Sequence, residues 1–192
     1  QKLRDSNLGY ARDFIDLIRL ILPEIQQNGL KIITNAGGIN PNMCREELLK
    51  LSEDSENNIK IGVIQGDDIY QDIQTIRDKG ITFDHMDSGK SFDEIADKVY
   101  SANVYIDSFT ISQALQKGAQ IVLAGRVSDP GLALGPCIYE YGWRQDEFNL
   151  LGAGTLAGHI TECGAQCTGG NYSNWEDVPD MANLGYPIIE MQ

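Results

Sequence analysis

Short runs of β-branched residues that lead directly into small or polar residues recur along the chain. This recurrence limits the possible folds of the chain more than any other feature of the sequence. The runs are "LKIITNAGG", "ENNIKIGVIQGDD", "SANVYIDS" and "AQIVLAGRVSD". A strand of a parallel sheet has this continuous apolar character because helices cover both of its faces. We therefore predict a buried strand in each of the four runs.

The segments between these runs are long enough for helices and too long for hairpin turns. Helical spacing of apolar residues, or a helix end signal, predicts helices over residues 10–28, 41–51, 69–79 and 110–117, and more weakly over 91–102. Strands that alternate with helices through long crossovers are typical of a parallel sheet. The predicted fold class is α/β, with a mostly parallel sheet, helices on both faces in a Rossmann-like arrangement, and a Gly-rich C-terminal elaboration.

The domain organisation is inferred from a change in amino-acid composition along the chain. Residues 1–129 carry the βα repeats, whereas residues 130–192 are Gly-rich, with a helix or two predicted around 146–163 and a strand-like run at 186–192. Because no stretch is rich enough in Pro, Ser or Gly to be a linker, we predict a single α/β domain over 1–192. The chain begins with Gln1 and ends just after an apolar run, so we expect it to be part of a longer protein.

The charge and the cysteine content exclude several classes of protein. A formal net charge of -13 repels nucleic acid and anionic membrane surfaces, and the apolar runs are too short for a membrane-spanning helix. The four cysteines lack the density of a secreted disulfide scaffold. We therefore expect free thiols and a reducing compartment, either the cytoplasm or an organelle interior such as the mitochondrial matrix.

Several polar residues fall just beyond the predicted strands, where the ligands of parallel sheets bind. In "TNAGGINP", the paired Gly37 and Gly38, between Asn35 and Asn40, have the character of a loop whose backbone N–H groups cradle an anion. The alternative is a glycine turn that lets the strand and the following helix pack closely.

Two further strand ends carry charge. In "QGDD", a carboxylate could bind a ligand or cap the following helix; we assign Asp68 to the cap and Asp67 to the ligand. In "AGRVSD", the guanidinium of Arg126 could hold a carboxylate or phosphate. An internal salt bridge from Arg126 to Asp129 is the alternative, and we place both residues in the ligand-binding set.

The stretch "GHITECGAQCTGG" combines groups that could exchange protons. On a helix, His159, Glu162 and Cys163 share one face, so a histidine–glutamate acid–base pair is possible beside a thiol. A zinc site would need further ligands, and the cysteine spacing lacks a second pair, so we predict no metal. Tight packing of a helix through Gly158 remains the structural alternative.

The order of the motifs carries a family resemblance. From about Gly9 to Glu190, "GYARDF", "ITNAGGINP", "GDD", "SANVYIDSFTISQALQKGAQIVLAGRVSD", "GW" and "GHITECGAQCTGGNYSNW" together resemble the acyclic terpene utilisation family AtuA. On matching positions the family signature comprises Asn35, Gly37, Gly38, Asp67, Gly125, Arg126, Asp129, His159, Glu162, Cys163, Gly169 and Gly170. The resemblance adds Gly169 and Gly170 to the ligand-binding set. It also implies a setting, since the best-known member is encoded with an acyl-CoA carboxylase and enzymes that degrade citronellol-like terpenoids as coenzyme A thioesters.

We therefore expect an enzyme of branched isoprenoid breakdown, acting on acyl-CoA thioesters in a hydratase-, lyase- or isomerase-like step. The loop at 35–40 and Arg126 would hold a phosphate or carboxylate, while His159, Glu162 and Cys163 form the catalytic set. The alternative is a non-catalytic partner of an acyl-CoA carboxylase. No NAD fingerprint is present, the cofactor stays unknown, and a homo-oligomer is left open.

Overall fold

Three short parallel strands form the centre of the structure, a computed structural model that describes residue 5, residues 7–53 and residues 59–191. They are β1 (Ile32–Thr34), β2 (Ile61–Ile64) and β3 (Ile121–Ala124), and they lie in the order β1-β3-β2. The last strand in sequence takes the central position and is buried at every residue. Its four apolar residues suit that position, since both faces and both edges of the strand are covered.

Helices cover both faces of this sheet. The described residues form the α-helices α1 (Arg12–Asn28), α2 (Pro41–Glu53), α3 (Ile73–Asp78), α4 (Ser108–Gln116), α5 (Gly131–Tyr141) and α6 (Phe148–Cys163). Successive side chains of β3 point to opposite faces. Leu123 packs with Ile18 of α1 and Leu48 of α2, whereas Val122 packs with Ile111 of α4. The predicted α/β class with a parallel sheet is confirmed, while the Rossmann-like arrangement stays a prediction.

The predicted helix at 10–28 is confirmed as α1. Phe14, Ile18 and Ile25 are buried at helical spacing, and Pro23 lies inside the helix without ending it. The helix ends at Gly29, which has a left-handed φ of 65°. The helices predicted at 41–51 and 110–117 are confirmed as α2 and α4.

The strand predicted at "SANVYIDS" is wrong. Within this run the structure has two isolated bridges, from Asn103 to Asp68 and from Ile106 to Val127. Val104 and Tyr105 are exposed, so the apolar residues that suggested a strand are not packed in the sheet. The segment instead lies across the carboxyl ends of β2 and β3, where it contributes to the candidate site.

Three other predictions need correction. The helix at 69–79 is a 3-10 turn at Tyr70–Asp72 followed by the short α3. The stretch at 91–102 forms two 3-10 turns, Phe92–Glu94 and Ala96–Lys98, because its apolar residues find no core and Ile95 stays exposed. The strand-like run at 186–192 contains no strand over the described residues 186–191, and Ile188 is 94% exposed.

The Gly-rich part contains two helices that pack against each other, α5 and α6. The sequence predicted α6 but not α5. Glycines give the close approach between them and their surroundings: a Cβ at Gly135 would lie 2.6 Å from Ile111, and one at Gly158 would lie 2.6 Å from the carbonyl oxygen of Pro130. Among the described residues, no helix combines the length and the apolar character that crossing a bilayer requires. The single-domain division stays a prediction.

Candidate functional site

The residues that follow the three strands meet at one cavity of about 300 Å³. Asn35 follows β1, Asp67 follows β2, and Arg126 follows β3. The other lining residues are Gly38, Ile39, Asn103 and Gly125. The structure therefore brings together four of the predicted ligand-binding residues, Asn35, Gly38, Asp67 and Arg126, at the edge where parallel sheets bind ligands.

Asp67 is the central residue of this cavity. Its side chain is only 6% exposed, and its Oδ2 accepts hydrogen bonds from the Arg126 backbone N–H at 2.8 Å and from Asn103 Nδ2 at 3.1 Å. A buried carboxylate is stable in a protein only when donors of this kind replace water. The two bonds fix the carboxylate in one orientation between the ends of β2 and β3.

Gly125 makes this arrangement possible. A Cβ at position 125 would lie 2.1 Å from Asp67 Oδ1 and 2.5 Å from its Cγ. Real Cβ atoms do not approach other heavy atoms so closely, so any other residue here would displace the carboxylate. The family signature contained Gly125, and the structure gives the physical reason for a glycine at that position.

The segment from Asn103 to Ile106 is fastened beside the cavity, which Asn103 lines. The Val104 N–H donates to the Asp67 carbonyl oxygen at 2.8 Å, and the Ile106 N–H donates to the Arg126 carbonyl oxygen at 2.9 Å. These bonds hold the segment across the ends of the strands. They also explain why a β-like sequence here does not extend the sheet.

Arg126 is exposed at the rim of the cavity. Its guanidinium carbon lies 5.4 Å from the centre of the Tyr105 ring, a cation–π arrangement. Within the described residues no ion pair joins Arg126 to Asp129, so the internal salt bridge considered as an alternative is wrong. A guanidinium without a carboxylate partner offers its planar donors to an anionic ligand.

The loop at 35–40 is held by its own hydrogen bonds. The N–H groups of Gly38, Ile39 and Asn40 donate to the carbonyl oxygens of Asn35, Gly9 and Gly37 at 2.9, 2.9 and 3.0 Å. Those three N–H groups are therefore not available to cradle a phosphate. The glycine-turn alternative fits better, as the loop lies close to its neighbours.

The glycines of this loop explain that close approach. Gly38 has a φ of 53°, and a Cβ there would lie 2.5 Å from the Gly9 carbonyl oxygen. A Cβ at Gly37 would lie 2.7 Å from Pro41 Cβ. Asn40 is buried, and its Nδ2 donates to the Leu8 carbonyl oxygen at 2.9 Å. Gly37 and Asn40 thus support the loop from outside the lining of the cavity.

The prediction that Asp68 caps the following helix is wrong, because the N-cap of the 3-10 turn is Ile69 and no side chain makes a cap hydrogen bond there. Asp68 Oδ1 instead accepts a hydrogen bond from the Tyr70 N–H, two residues further on, at 3.1 Å. An aspartate that bonds the backbone two residues on forms a local turn, here just ahead of the 3-10 turn. The two adjacent carboxylates therefore have different tasks.

The predicted catalytic residues lie on α6 and do not line the cavity. His159 and Glu162 are exposed, and Cys163 is half-buried. Within the part of the chain that the structure describes, no hydrogen bond or ion pair joins His159 to Glu162. The helix packs through its glycines, since a Cβ at Gly154 would lie 2.7 Å from Trp143.

Cys163 donates a hydrogen bond from its Sγ to Glu162 Oε2 at 3.4 Å. This hydrogen bond and the negative charge of Glu162 raise the pKa of the Cys163 thiol, together with partial burial and the neighbouring Cys167. A raised pKa leaves less thiolate at neutral pH, which is unfavourable for a nucleophile. All four cysteines are free thiols, as expected from the sequence.

The remaining predicted site residues also lie outside the lining of the cavity. Asp129 is exposed just before α5. Gly169 and Gly170 belong to the turn after α6, where the Gly170 N–H donates to the Ala165 carbonyl oxygen at 2.8 Å. In the described residues, no group of three or more His, Cys, Asp and Glu side chains could hold a metal ion.

Comparison with known proteins gives one match. The family described as "Acyclic terpene utilisation family protein AtuA" matches residues 1–192. The chain belongs to the AtuA family. No match was found among curated proteins or among solved structures.

Two features of this AtuA-family chain were absent from the predicted site: Asn103, which lines the cavity, and the ring of Tyr105, which contacts the Arg126 guanidinium. Both lie in "SANVYIDS", which its β-branched and aromatic residues made look like a buried strand. The adjacent polar Asn103 and Asp107 were the available signal, since a fully buried central strand has few polar residues. Asp107 Oδ1 in fact accepts from the Thr110 N–H at 2.9 Å and begins α4.

Proposed function

We propose that this chain binds the acidic head of an acyclic isoprenoid acid, or of its coenzyme A thioester, in the cavity at the strand ends. Membership of the AtuA family indicates a role in acyclic terpene utilisation. The observation that carries the proposal is the position of Arg126, an exposed guanidinium stacked on Tyr105 at the mouth of a cavity. A positioned arginine is the side chain best suited to a carboxylate or phosphate.

The cavity offers donors and acceptors at different points. The guanidinium of Arg126 can only donate hydrogen bonds, and an ionised Asp67 carboxylate can only accept them. The side-chain amide of Asn35 can do both. A volume of about 300 Å³ is at the lower end of the range for small-molecule sites. The cavity suits one end of a ligand, such as an acyl group with a carboxylate or hydroxyl, and the rest of a coenzyme A thioester would extend over the surface.

The binding half of the proposal rests on Arg126. We expect isothermal titration with the free acid and the coenzyme A thioester derived from citronellol to give heat with the unaltered chain. Arg126→Ala should weaken binding by tenfold or more, corresponding to about 1.5–3 kcal/mol for a hydrogen bond to a charged group. Arg144→Ala is the matched control, because Arg144 is an exposed arginine paired with Asp146 on another part of the surface.

A catalytic role for α6 is the second half of the proposal. His159, which is exposed on α6, would exchange a proton with the substrate in a hydratase-, lyase- or isomerase-like step on an acyl-CoA thioester. Glu162, one turn further along the helix, would orient the imidazole once substrate is bound. The pH–rate profile of His159→Ala should then lose the limb that reports the imidazole. An unchanged profile would remove the acid–base role and leave the binding role of Arg126 intact.

A non-catalytic partner of an acyl-CoA carboxylase is the second candidate function. One observation favours it: the outer side of α6 exposes Phe148 and Leu156, at 76% and 63%, on a stretch with no Asp, Glu, Lys or Arg from residue 148 to residue 161. Uncharged, exposed apolar faces of this kind often bind other proteins. Co-purification with a carboxylase that Phe148→Ser abolishes, without turnover of any thioester, would favour this candidate over an enzyme.

A further inference from the structure

Among the residues that the structure describes, strand β2 pairs along one edge only. Within the described residues its one neighbour is β3, to which the carbonyl oxygens of Lys60 and Ile64 point: they accept from the N–H groups of Gln120 at 2.8 Å and Gly125 at 3.2 Å. Peptide groups alternate in direction along a strand, so the N–H and C=O groups of Ile61 and Val63 point the other way. An edge of this kind is a template for a further strand.

A groove of about 420 Å³ runs along this edge. One wall is β2, and the other is formed by Thr110, Gln113 and Ala114 of α4 and by Lys117, which directly follows the helix. Thr110 is three residues from Gln113 and four from Ala114, so these residues lie on one side of the helix. A strand added beside β2 would lie about 4.8 Å from it, along this groove.

The groove has a local charge opposite to that of the chain. Among its described lining residues, Lys60 and Lys117 are the charged ones, although the formal net charge of the chain is -13. Over the described ranges neither lysine forms an ion pair, whereas Arg19, Lys50 and Arg77 each pair with a carboxylate. Both lysines lie near the amino end of β2, since the Lys60 ammonium is close to Gly118.

We propose that this groove, the β2 edge groove, binds an extended acidic segment of a partner protein, which adds to the sheet beside β2. The N–H and C=O groups of Ile61 and Val63 pair with the backbone of the segment, as in other cases of strand addition. Apolar side chains of the segment pack on Ala114, and acidic side chains lie beside Lys60 and Lys117. The groove shares no lining residue with the cavity at the strand ends, so the proposal stands apart from the proposed function.

Synthetic peptides test the proposal directly. The probes are Glu-Glu-Thr-Val-Thr-Val-Thr-Val and the same composition in reverse order, so that both strand directions are sampled, each labelled for fluorescence anisotropy. At least one of them should bind. The same peptide with N-methyl groups on alternate backbone nitrogens should lose at least tenfold in affinity, because it retains its side chains but cannot pair along an edge.

Charge reversal tests the role of the two lysines. Lys60→Glu/Lys117→Glu should weaken binding of the acidic peptide by about tenfold, the sum of two exposed charge pairs that become repulsive. The control is Lys79→Glu/Lys98→Glu, which makes the same change in net charge at exposed lysines outside the groove. Measured in salt that screens the general effect of charge, its affinity for the peptide should stay within about twofold of that of the unaltered chain. Thermal unfolding checks that both variants fold.

Three results of the peptide experiments would overturn the proposal. They are binding of neither acidic peptide, equal binding of a peptide with lysine in place of glutamate, and equal loss of affinity in the two double variants. Sedimentation that shows a dimer broken by Lys60→Glu/Lys117→Glu, with no peptide bound, would assign the groove to a second copy of the chain and would equally overturn it. Titration of the citronellol-derived acid is independent of all these outcomes, so the proposed function is tested separately.

Discussion

The backbone N–H of Arg126 donates to the carboxylate of Asp67 at 2.8 Å, so the second residue after β3 is fastened to a residue just beyond β2. The bond ties the backbone of the arginine to a buried group while its side chain remains exposed at the rim. Asp67 therefore acts on any bound anion through the position of Arg126. Because the carboxylate is buried and the guanidinium is not, the two residues contribute differently to stability and to binding.

Removing the Asp67 carboxylate should destabilise the fold. Asp67→Ala removes the acceptor of two part-buried hydrogen bonds to a carboxylate, from the Arg126 N–H and the Asn103 amide, so the free energy of unfolding should fall by about 1–3 kcal/mol. Asp67→Asn keeps an acceptor oxygen and should lose less. Urea denaturation measures both changes. The adjacent Asp68→Ala is the control: it removes one exposed hydrogen bond, from the Tyr70 N–H, and should cost about 0.5–1 kcal/mol.

The contact between Gly125 and Asp67 predicts a sharp difference between two glycines. Gly125→Ala puts a Cβ 2.1 Å from Asp67 Oδ1 and should cost about 1–3 kcal/mol through overpacking. Gly152→Ala, on α6, meets nothing within 4 Å and should stabilise the helix by about 0.5–1 kcal/mol. Denaturant unfolding of the two variants should thus move in opposite directions. If the two variants instead lost similar amounts of unfolding free energy, the Asp67 carboxylate would be able to move aside for a methyl group at little cost.

The sheet and the polar ends of its strands could be predicted from the sequence because each depends on local pattern. Apolar β-branched runs mark β1, β2 and β3, and parallel pairing brings Asn35, Asp67 and Arg126 to one edge. The segment around Val104 could not be predicted in the same way. Its residues have strand propensity, but long-range bonds to the Asp67 and Arg126 carbonyl oxygens decide its path. Propensity is a weak guide where tertiary contacts compete with it.

The glycine loop and α6 show a second limit. The pattern "NAGG" fits an anion cradle, yet contact with the Gly9 carbonyl oxygen uses the Ile39 N–H that a cradle would need. That contact joins distant residues and has no local signature. Likewise, helical spacing predicts that His159 and Cys163 lie on one face of α6. The direction in which that face points depends on how Gly154 and Gly158 pack, which the local sequence does not show.

The ring of Tyr105 should affect ligand binding by orienting Arg126. Tyr105→Leu removes the cation–π contact at 5.4 Å and should weaken binding of the citronellol-derived acid severalfold, whereas Tyr105→Phe keeps an aromatic face and should bind nearly as the unaltered chain does. Isothermal titration compares the three proteins. Tyr100→Leu, at another exposed tyrosine, is the control for general effects. Equal affinity of the Leu and Phe variants would exclude an orienting role.

The contact between Cys163 and Glu162 should slow alkylation of the thiol. Glu162 raises the pKa of Cys163, so Glu162→Gln should lower that pKa and increase the fraction of reactive thiolate at pH 8. The rate of iodoacetamide labelling at Cys163, followed by mass spectrometry of the peptides, should rise severalfold. Glu176→Gln removes an equal charge from another exposed site and should leave the rate unchanged. No acceleration with Glu162→Gln would mean that the hydrogen bond does not hold the proton on sulfur.

Burial of Cys44 should make the stability of the chain depend on pH in the alkaline range. Burial raises the pKa of this thiol from 9.0 to about 11. Between these values the unfolded chain loses the thiol proton while the folded chain retains it, so the folded state binds more protons and its stability falls as the pH rises. One such group contributes a slope of up to about 1.4 kcal/mol per pH unit, and the contribution of the thiol is complete below pH 9.

Cys44→Ala isolates this slope from the other alkaline groups. The substitution loses packing in the core cluster with Ile18 and Leu48, so its free energy of unfolding should be lower than that of the unaltered chain below about pH 9. The difference between the two proteins should be constant up to about pH 9 and should then narrow towards pH 11, because only the unaltered chain carries the buried thiol. Urea denaturation at intervals of half a pH unit measures it. Parallel curves across this range would mean that Cys44 ionises as easily in the folded chain as in the unfolded one, which its complete burial against α1 should prevent.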